Sequence, residues 1–440
     1  MRGEQLAGRT FTKVAFRTFS HHVARLVVVA GLTAITSALV TGIGALPTTM
    51  RDGIERAIAN GMSPPAAALD MIGIDTGSGA VAAPGSPDHV LADLWGGLLF
   101  VADGVERISV VFPALFFTVA GLVIYMTVTR MVAAERQQIG CLVTLGYSPR
   151  AVATRYLPFT VIGCLGGGIV GVAAGYWTVA PVLYASVQDL YGLPDAGDFL
   201  PGLGVASAVA TVVVMAGVTV WASASAAKEI PARLLGARVP RAGARTMWER
   251  IPALWGRLPY RYKSTVRNIV RYKVRFVMTV TSMALATVLV FAGLALSSVL
   301  SHEQPALMDT IAPISAMLVV AAVLLNALVV HNVTNINIEE REREIATLKV
   351  LGYYPHEVAG YVFREMAILT TIGMAMGLPL GHLVTRVLFA YLEFGNISLL
   401  DAWVWPAAAA LALASLGIAD LLLYRKLIGV DMNTSLKVVD

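Results

Sequence analysis

The sequence predicts an all-α polytopic membrane protein: eight transmembrane helices arranged as two parallel four-helix repeats, each with a short charged cytoplasmic helix. Three observations predict it. The 440-residue chain is 57% hydrophobic and 14% charged, with a mean hydropathy of +0.71, whereas soluble domains carry roughly 25% charged residues. Eight apolar runs approach the ~20 residues that a helix needs to cross the hydrocarbon core. A charged stretch that leads into Leu-Gly-Tyr occurs twice, each time between two of those runs.

The runs fall near Leu26–Leu46, Ile108–Val128, Leu157–Val179, Leu203–Ala222, Phe276–Leu296, Pro313–Thr334, Met366–Phe389 and Trp403–Tyr424. The first follows a basic stretch but is long for a secretory leader core, and no small-x-small cleavage site follows it, so it reads as a retained span. Lys and Arg set the orientation. Arg2, Arg9, Lys13, Arg17 and Arg25 precede the first span, and thirteen Lys and Arg lie between Lys228 and Arg275. The segments at 181–202, 299–312 and 391–402 have none, and 47–107 has only Arg51, Arg56 and Arg107. Both termini and both charged loops are therefore expected in the cytoplasm. Orientation and lipid headgroups account for the basic runs, and no nucleic-acid partner is expected.

An internal repeat underlies this layout. Ile139, Leu142, Leu145, Gly146, Tyr147 and Pro149 align without a gap on Ile345, Leu348, Leu351, Gly352, Tyr353 and Pro355. The same register brings Gly167, Gly171 and Gly175 onto Gly373, Gly377 and Gly381. The first spans match at a larger offset, Arg17 and Arg25 on Arg267 and Arg275. The offsets are 206 and 250 residues, so the first external segment holds an insertion of 44 (250 − 206). The expected organisation is a cytoplasmic amphipathic N-terminal helix (1–25), a first repeat (26–223) with an external insertion (47–107), a basic cytoplasmic connector (224–275), a second repeat (276–424) and a cytoplasmic tail (425–440). Within the insertion, Met50, Ile54 and Ile58 give one helix-like stretch an apolar face, and Leu91, Leu94, Trp95 and Leu98 another. A small external hairpin or cap is expected.

The stretch from Glu339 to Pro355 is the most charged in the chain. Glu339 and Arg343 have the spacing of a helical ion pair. Ile345, Leu348 and Leu351 form an apolar face. Gly352 is placed to end the helix, and Pro355 to begin the next. The third span of each repeat carries glycines every four residues, Gly163 to Gly175 and Gly373 to Gly381. Such rows let helices approach closely; a sliding surface between the repeats is the alternative use. Polar residues inside spans are few. Asn326 is expected to bond across helices, Asp420 to pair near Arg425-Lys426, and His382 and Arg386 to reach the outer headgroups or face a substrate. Without a chain of buried carboxylates, ion coupling is not expected. Cys141 and Cys164 form no metal or redox motif and read as packing residues.

These features resemble the FtsX/MacB-like permeases of bacterial ABC transporters. The resemblance rests on Glu340-Arg341-Glu342-Arg343-Glu344-Ile345 with Leu348, Leu351 and Gly352, on Arg364-Glu365-Met366-Ala367 opening the next span, and on the basic stretches Phe16-Arg17 and Val266-Arg267-Asn268. In the first repeat Glu135, Arg136, Ile139, Leu142, Leu145 and Gly146 take the corresponding places. That repeat departs from the pattern: Glu135-Arg136-Gln137-Gln138 is less charged, and Phe159 aligns with Glu365.

The resemblance implies a multi-pass protein of the bacterial cytoplasmic (inner) membrane whose two charged helices, the coupling helices, dock a separate cytoplasmic ABC ATPase dimer. Membrane lipids and an extracytoplasmic adaptor are the other partners it suggests. No cofactor is expected on this chain: there is no Gly-Lys-Ser/Thr phosphate loop, so ATP and Mg belong to the ATPase and the chain is not an enzyme by itself. Export or extraction of a lipid, lipoprotein, peptide or other amphiphile is the expected function. A non-transporting force-transmitting subunit and a secondary transporter built from parallel repeats are the alternatives.

Overall fold

A computed structural model describes residues 23–60, 87–146, 154–195, 201–227, 273–303, 308–392 and 396–429. The N-terminal amphipathic helix up to residue 22, most of the basic connector, the end of the tail and residues 61–86 of the insertion lie outside the described residues, as do the side chains of Leu91, Leu94, Trp95 and Leu98.

The described residues form eleven α-helices and no strand. In the first repeat these are α1 (Val23–Ala59), α2 (Pro87–Ala134), α3 (Arg136–Thr144), α4 (Leu157–Ala174), α5 (Ala180–Tyr191) and α6 (Pro201–Ala227). The second has α7 (Lys273–Glu303), α8 (Met308–Glu340), α9 (Glu342–Val350), α10 (Pro355–Leu392) and α11 (Val404–Ile428). Eight helices among the described residues are long and apolar enough to cross a membrane, one for each expected span. A π-turn at Gly175–Val179 joins α4 to α5, and together they make the third span.

Three helices run far past the lipid core. At 1.5 Å per residue, the 37 residues of α1, 48 of α2 and 38 of α10 measure about 56, about 72 and about 57 Å, against a hydrocarbon core of about 30 Å. The expected hairpin is thus built, where it is described, as unbroken continuations of the first two spans. Met50, Ile54 and Ala57 extend the buried stripe of α1. Gly53 lies against Tyr184 and Leu193, the Tyr184 hydroxyl donates to the Pro194 carbonyl, and Arg51 pairs with Asp103 at 2.6 Å and with Glu106. Ile58 stays half exposed.

The glycine rows explain how each repeat closes. In the first, a Cβ on Gly167 would lie 2.2 Å from the Ala30 carbonyl oxygen, and one on Gly171 2.4 Å from that of Ala34. In the second, Gly373 and Gly377 stand in the same relation to Val280 and Ala284, at 3.1 and 2.7 Å. Ala30 and Val280, like Ala34 and Ala284, are 250 residues apart, whereas the glycines are 206 apart. Both offsets read from the sequence therefore hold in three dimensions. At all seven glycines the nearest atoms belong to the first span of the same repeat. The rows seat α4–α5 on α1 and α10 on α7, which rules out their forming a sliding surface between repeats.

The repeats meet through α1, α2, α7 and α8, with the third spans flanking. Phe112, Phe116, Phe291, Leu318 and Leu325 belong to one buried core that continues across this junction. Asn332 donates to the Thr127 hydroxyl across it, at 2.9 Å. Large apolar side chains such as Ile169, Trp177, Val213, Trp221 and Leu421 point outward, as a lipid-facing surface requires.

Several polar residues behave differently from expectation. Asn326 is buried, and its Nδ2 has no hydrogen-bond partner among the described residues. Asp420 has a buried oxygen without a hydrogen-bond partner among the described residues, and Lys426 pairs with Glu339. His382 packs with Phe291 and Trp405 in an aromatic cluster, while Arg386 is exposed. Cys164 is buried, but Cys141 is exposed on α3 and does no packing there.

Candidate coupling site

The two short charged helices, α3 and α9, occupy equivalent places: residues 136–144 and 342–350 differ by 206 at both ends. Each is followed by a glycine with positive φ, +93° at Gly146 and +92° at Gly352, a conformation that costs a side chain but not glycine. After α9 the amide of Gly352 donates to the Lys349 carbonyl and that of Tyr353 to the Leu348 carbonyl, at 3.0 and 3.1 Å. These are the two bonds of a Schellman stop. The next helix starts at Pro355, and the Glu357 carboxylate accepts from the Tyr354 amide at 2.9 Å, half of a capping box. The expected stop and restart are both present.

The expected Glu339–Arg343 pair is not on a continuous helix. The backbone breaks at Arg341, with φ −110° and ψ 10°, so Glu339 ends α8 while Arg343 belongs to α9. Glu339 bonds with Arg25 of α1 and, at 2.8 Å, with Lys426 of α11. Helical spacing argues for a pair only while the helix continues.

Inward-facing residues fasten each coupling helix to its own repeat. Ile345 is buried with Ile338, Val358, Ala359, Val362, Leu423 and Leu427, and Leu348 packs at the edge of that cluster. Lys349 Nζ donates to the last carbonyls of α11, Ile428 at 2.9 Å and Leu427 at 3.4 Å. Arg341 pairs with Glu365 at 2.6 Å, both side chains 4% exposed, with the Arg341 guanidinium 6.0 Å from the centre of the Tyr361 ring. In the first repeat Ile139 is buried and Leu142 packs at the core's edge. There Glu135 pairs with Arg155 at 3.3 Å and accepts from the Tyr156 hydroxyl at 3.0 Å. Burial, with the Glu135 carboxylate second, pushes the Tyr156 hydroxyl pKa up.

Outward lies a different set. Leu145 is 74% exposed, and around Gly352 the side chains of Val350, Leu351, Tyr353 and Tyr354 are more than half exposed. Glu342 and Glu344 are exposed beside them. Of the residues expected to dock a partner, Leu145, Gly146, Glu342, Glu344, Leu351 and Gly352 are thus presented to solvent. Ile139, Arg341 and Ile345 are not: their burial makes them fasteners of the helix rather than a docking surface. Glu135 is largely covered, and Glu340 pairs with Arg130 of α2. The side chains of Arg136 and Arg343 lie outside the described residues.

Sequence reasoning missed Arg25, Arg130, Arg155, Glu339 and Lys426 as partners in this region. A usable signal was present: three successive charges, Glu339-Glu340-Arg341, sit where an apolar run ends, too many for one exposed face. Each short helix is thus fastened by its inner face to its own repeat, with Leu145 exposed at the tip of the first and Val350, Leu351, Tyr353 and Tyr354 at the tip of the second.

Comparison with known proteins agrees with this geometry. The family described as FtsX-like permease C-terminal matches residues 110–232 and again 314–431. Each match starts within the second span of a repeat, passes through its coupling helix and ends past its fourth span. Neither a curated protein nor a solved structure matches the chain. The two family matches cover more than half of the chain, and each contains one tip: the chain belongs to the FtsX-like permease family, as a two-domain membrane permease component of an ABC-type transporter.

Proposed function

We propose that the chain couples ATP hydrolysis by a separate cytoplasmic ATPase dimer to the export or extraction of an amphiphile, such as a lipid, lipoprotein or peptide. One observation carries the reading: each coupling helix has its inner face fastened to its own spans and exposes apolar side chains at its outer end, Leu145 in the first and Val350, Leu351, Tyr353 and Tyr354 in the second. A push on either tip is thereby a push on spans. The excess of Lys and Arg on one side supports placing both termini, and both tips, in the cytoplasm. ATP and Mg are handled by the ATPase, and this chain supplies levers and the lipid-facing surface.

A force-transmitting role without transport is the second reading, favoured by a specific feature. The crevice between the repeats lined by Met126, Arg130, Thr279, Val333, Ile336 and Asn337 has no room for a water-sized guest. A cargo would then travel along the outer surface, or only force would cross.

The test is co-expression with an ABC ATPase and a photo-crosslinker placed at Leu351, or at Leu99 near the opposite end. Capture at Leu351 but not at Leu99 is expected. Equal capture or none at either position removes the coupling reading. Reconstitution in nanodiscs with fluorescent lipid and lipopeptide then separates the two readings, since ATP-dependent release of cargo occurs only in the first.

A further inference from the structure

The junction between α8 and α9 carries three successive charges, and each bonds to a different element. Glu339 pairs with Arg25 of α1, Glu340 with Arg130 of α2, and Arg341 with Glu365 of α10. The first two cross to the other repeat; the third stays at home. Glu339 is further tied to Asn335 at 3.1 Å and to Lys426 at 2.8 Å, so the anion is held from its own repeat as well. At the matching places in the first repeat stand Ala133, Ala134 and Glu135. The alanines cannot carry a charge, and Glu135 bonds to Arg155 and Tyr156 of its own repeat.

We infer that Glu339 and Glu340 are positioning residues through which movement of the second tip reaches the first repeat, while the first tip moves only its own. The argument is mechanical and electrostatic. Both carboxylates lie within three residues of the start of α9, so a tilt of that helix displaces them directly. Arg25 and Arg130 have side chains only 5% and 11% exposed, while Glu339 and Glu340 keep 29% and 34%, and a pair whose cation is shielded from water resists separation more than a fully exposed one. Pulling the pairs therefore moves α1 and α2 before it breaks them. The contact is also poised to change: Arg25 Nε and Nη1 are buried without a hydrogen-bond partner among the described residues. An arrangement of the repeats that supplies acceptors to those nitrogens competes with the present one. The other side-chain ties between the repeats lie deeper or at the far end. Among the described residues they include Asn332 to Thr127, Ser282 to Met126, and Arg107 to the carbonyls of Tyr391 and Leu392. None of these is adjacent to a tip.

This rests on the docking proposed above only for its functional consequence; its structural part is tested on the chain alone in nanodiscs. Spin labels go on Leu145→Cys and Leu351→Cys, in a background where the exposed Cys141 is changed to Ser. Glu339→Gln with Glu340→Gln is expected to broaden the tip-to-tip distance distribution and shift it to longer values. Arg130→Glu alone should do the same, and Arg130→Glu with Glu340→Arg should restore the narrow distribution, which a merely structural loss would not. An unchanged distribution in the double Gln variant, or no recovery in the charge swap, overturns the inference. With an ATPase added, the double Gln variant is expected to bind it as the parent does but to lose several-fold in stimulated turnover. Full stimulation in that variant overturns the inference as well. A parent chain that binds no ATPase instead defeats the docking proposal and leaves the distance result to decide this one.

Discussion

The two repeats solve one mechanical problem with opposite charges. Each must lock the bend between its second span and its coupling helix onto its third span or onto the turn that leads into it. The second repeat puts the cation on the bend and the anion on the span, Arg341 with Glu365; the first puts the anion on the bend, Glu135 with Arg155. Phe159, which takes the place of Glu365, is buried as an apolar side chain. Had the first repeat kept Arg at 135 against Phe159, a buried cation would lack its partner. The comparison teaches that what the repeats share is the fastening of the bend, not the residue that does it. It also shows where they part: the second repeat reaches across to the first through Glu339 and Glu340, and the first does not reach back with matching residues.

The most severe way to break the likeness is to push the glycine-seated helices apart. Gly167→Val is expected to abolish folding, since even its first carbon would fall 2.2 Å from a backbone oxygen that cannot move aside. Overpacking costs about 1–3 kcal/mol where neighbours can shift, and here they cannot. Gly373→Val should still be damaging, since the Met283 Cβ at 2.5 Å moves only with its backbone, but milder than Gly167→Val, because the nearest backbone oxygen is at 3.1 Å rather than 2.2 Å. Gly44→Val, with open space around it, is the control. Yield of monodisperse protein after extraction should rank Gly44, Gly373, Gly167 from best to worst; any other order refutes the account.

Next in size is the buried pair. Arg341→Ala removes one partner of a buried ion pair with Glu365 and should cost about 3–5 kcal/mol. Glu135→Ala should cost less, since Arg155 also bonds to Gln138 at 3.4 Å. Thermal unfolding in nanodiscs checks this, and equal losses would mean that the two fastenings are energetically alike.

A sharper test converts one fastening into the other. Phe159→Glu alone buries a second carboxylate near Glu135 and should destabilise strongly. Adding Glu135→Arg together with Arg155→Tyr, the residue at the matching place 361, should recover part of the loss by creating the arrangement of the second repeat without leaving Arg155 beside a second cation. Absence of recovery would show that the surroundings of each pair, not its sign, are what each repeat requires.

Smallest in stability are the tips. Leu145→Ala and Leu351→Ala remove exposed side chains, so unfolding should shift by no more than about 0.5 kcal/mol, while affinity for the ATPase falls. A large stability loss would mean that the tips pack within the chain and are not presented to a partner.

Much of this was legible in the residues. The eight spans follow from apolar length, since a lipid core admits only runs of that kind. The duplicated Leu-Gly-Tyr element located both coupling helices, because a glycine that ends a helix marks its end in the sequence as clearly as in space. Even the glycine rows predicted close packing, though not which helix would be packed. Less could be read beyond the apolar runs. The spacing of Met50, Ile54 and Ile58 announced a helical stretch beyond the first span, but not that it continues α1 without a break to Ala59 or that Tyr184 and Leu193 pack against it.

What the sequence by itself determined is therefore the number of spans, their duplication, the insertion of 44 residues between offsets of 206 and 250, and the place of each tip. These follow from local rules: how many apolar residues cross a membrane, and where a helix stops. Only the tertiary structure decided who partners the charges. Arg25 and Glu339 stand 314 residues apart, and Arg130 and Glu340 210, and no periodicity links such positions. Helical spacing proposed Arg343 for Glu339, but the chain turns at Arg341 and the carboxylate faces the other repeat. Electrostatic attraction depends on distance through space and on exclusion of water, and both exist only once the two repeats have packed.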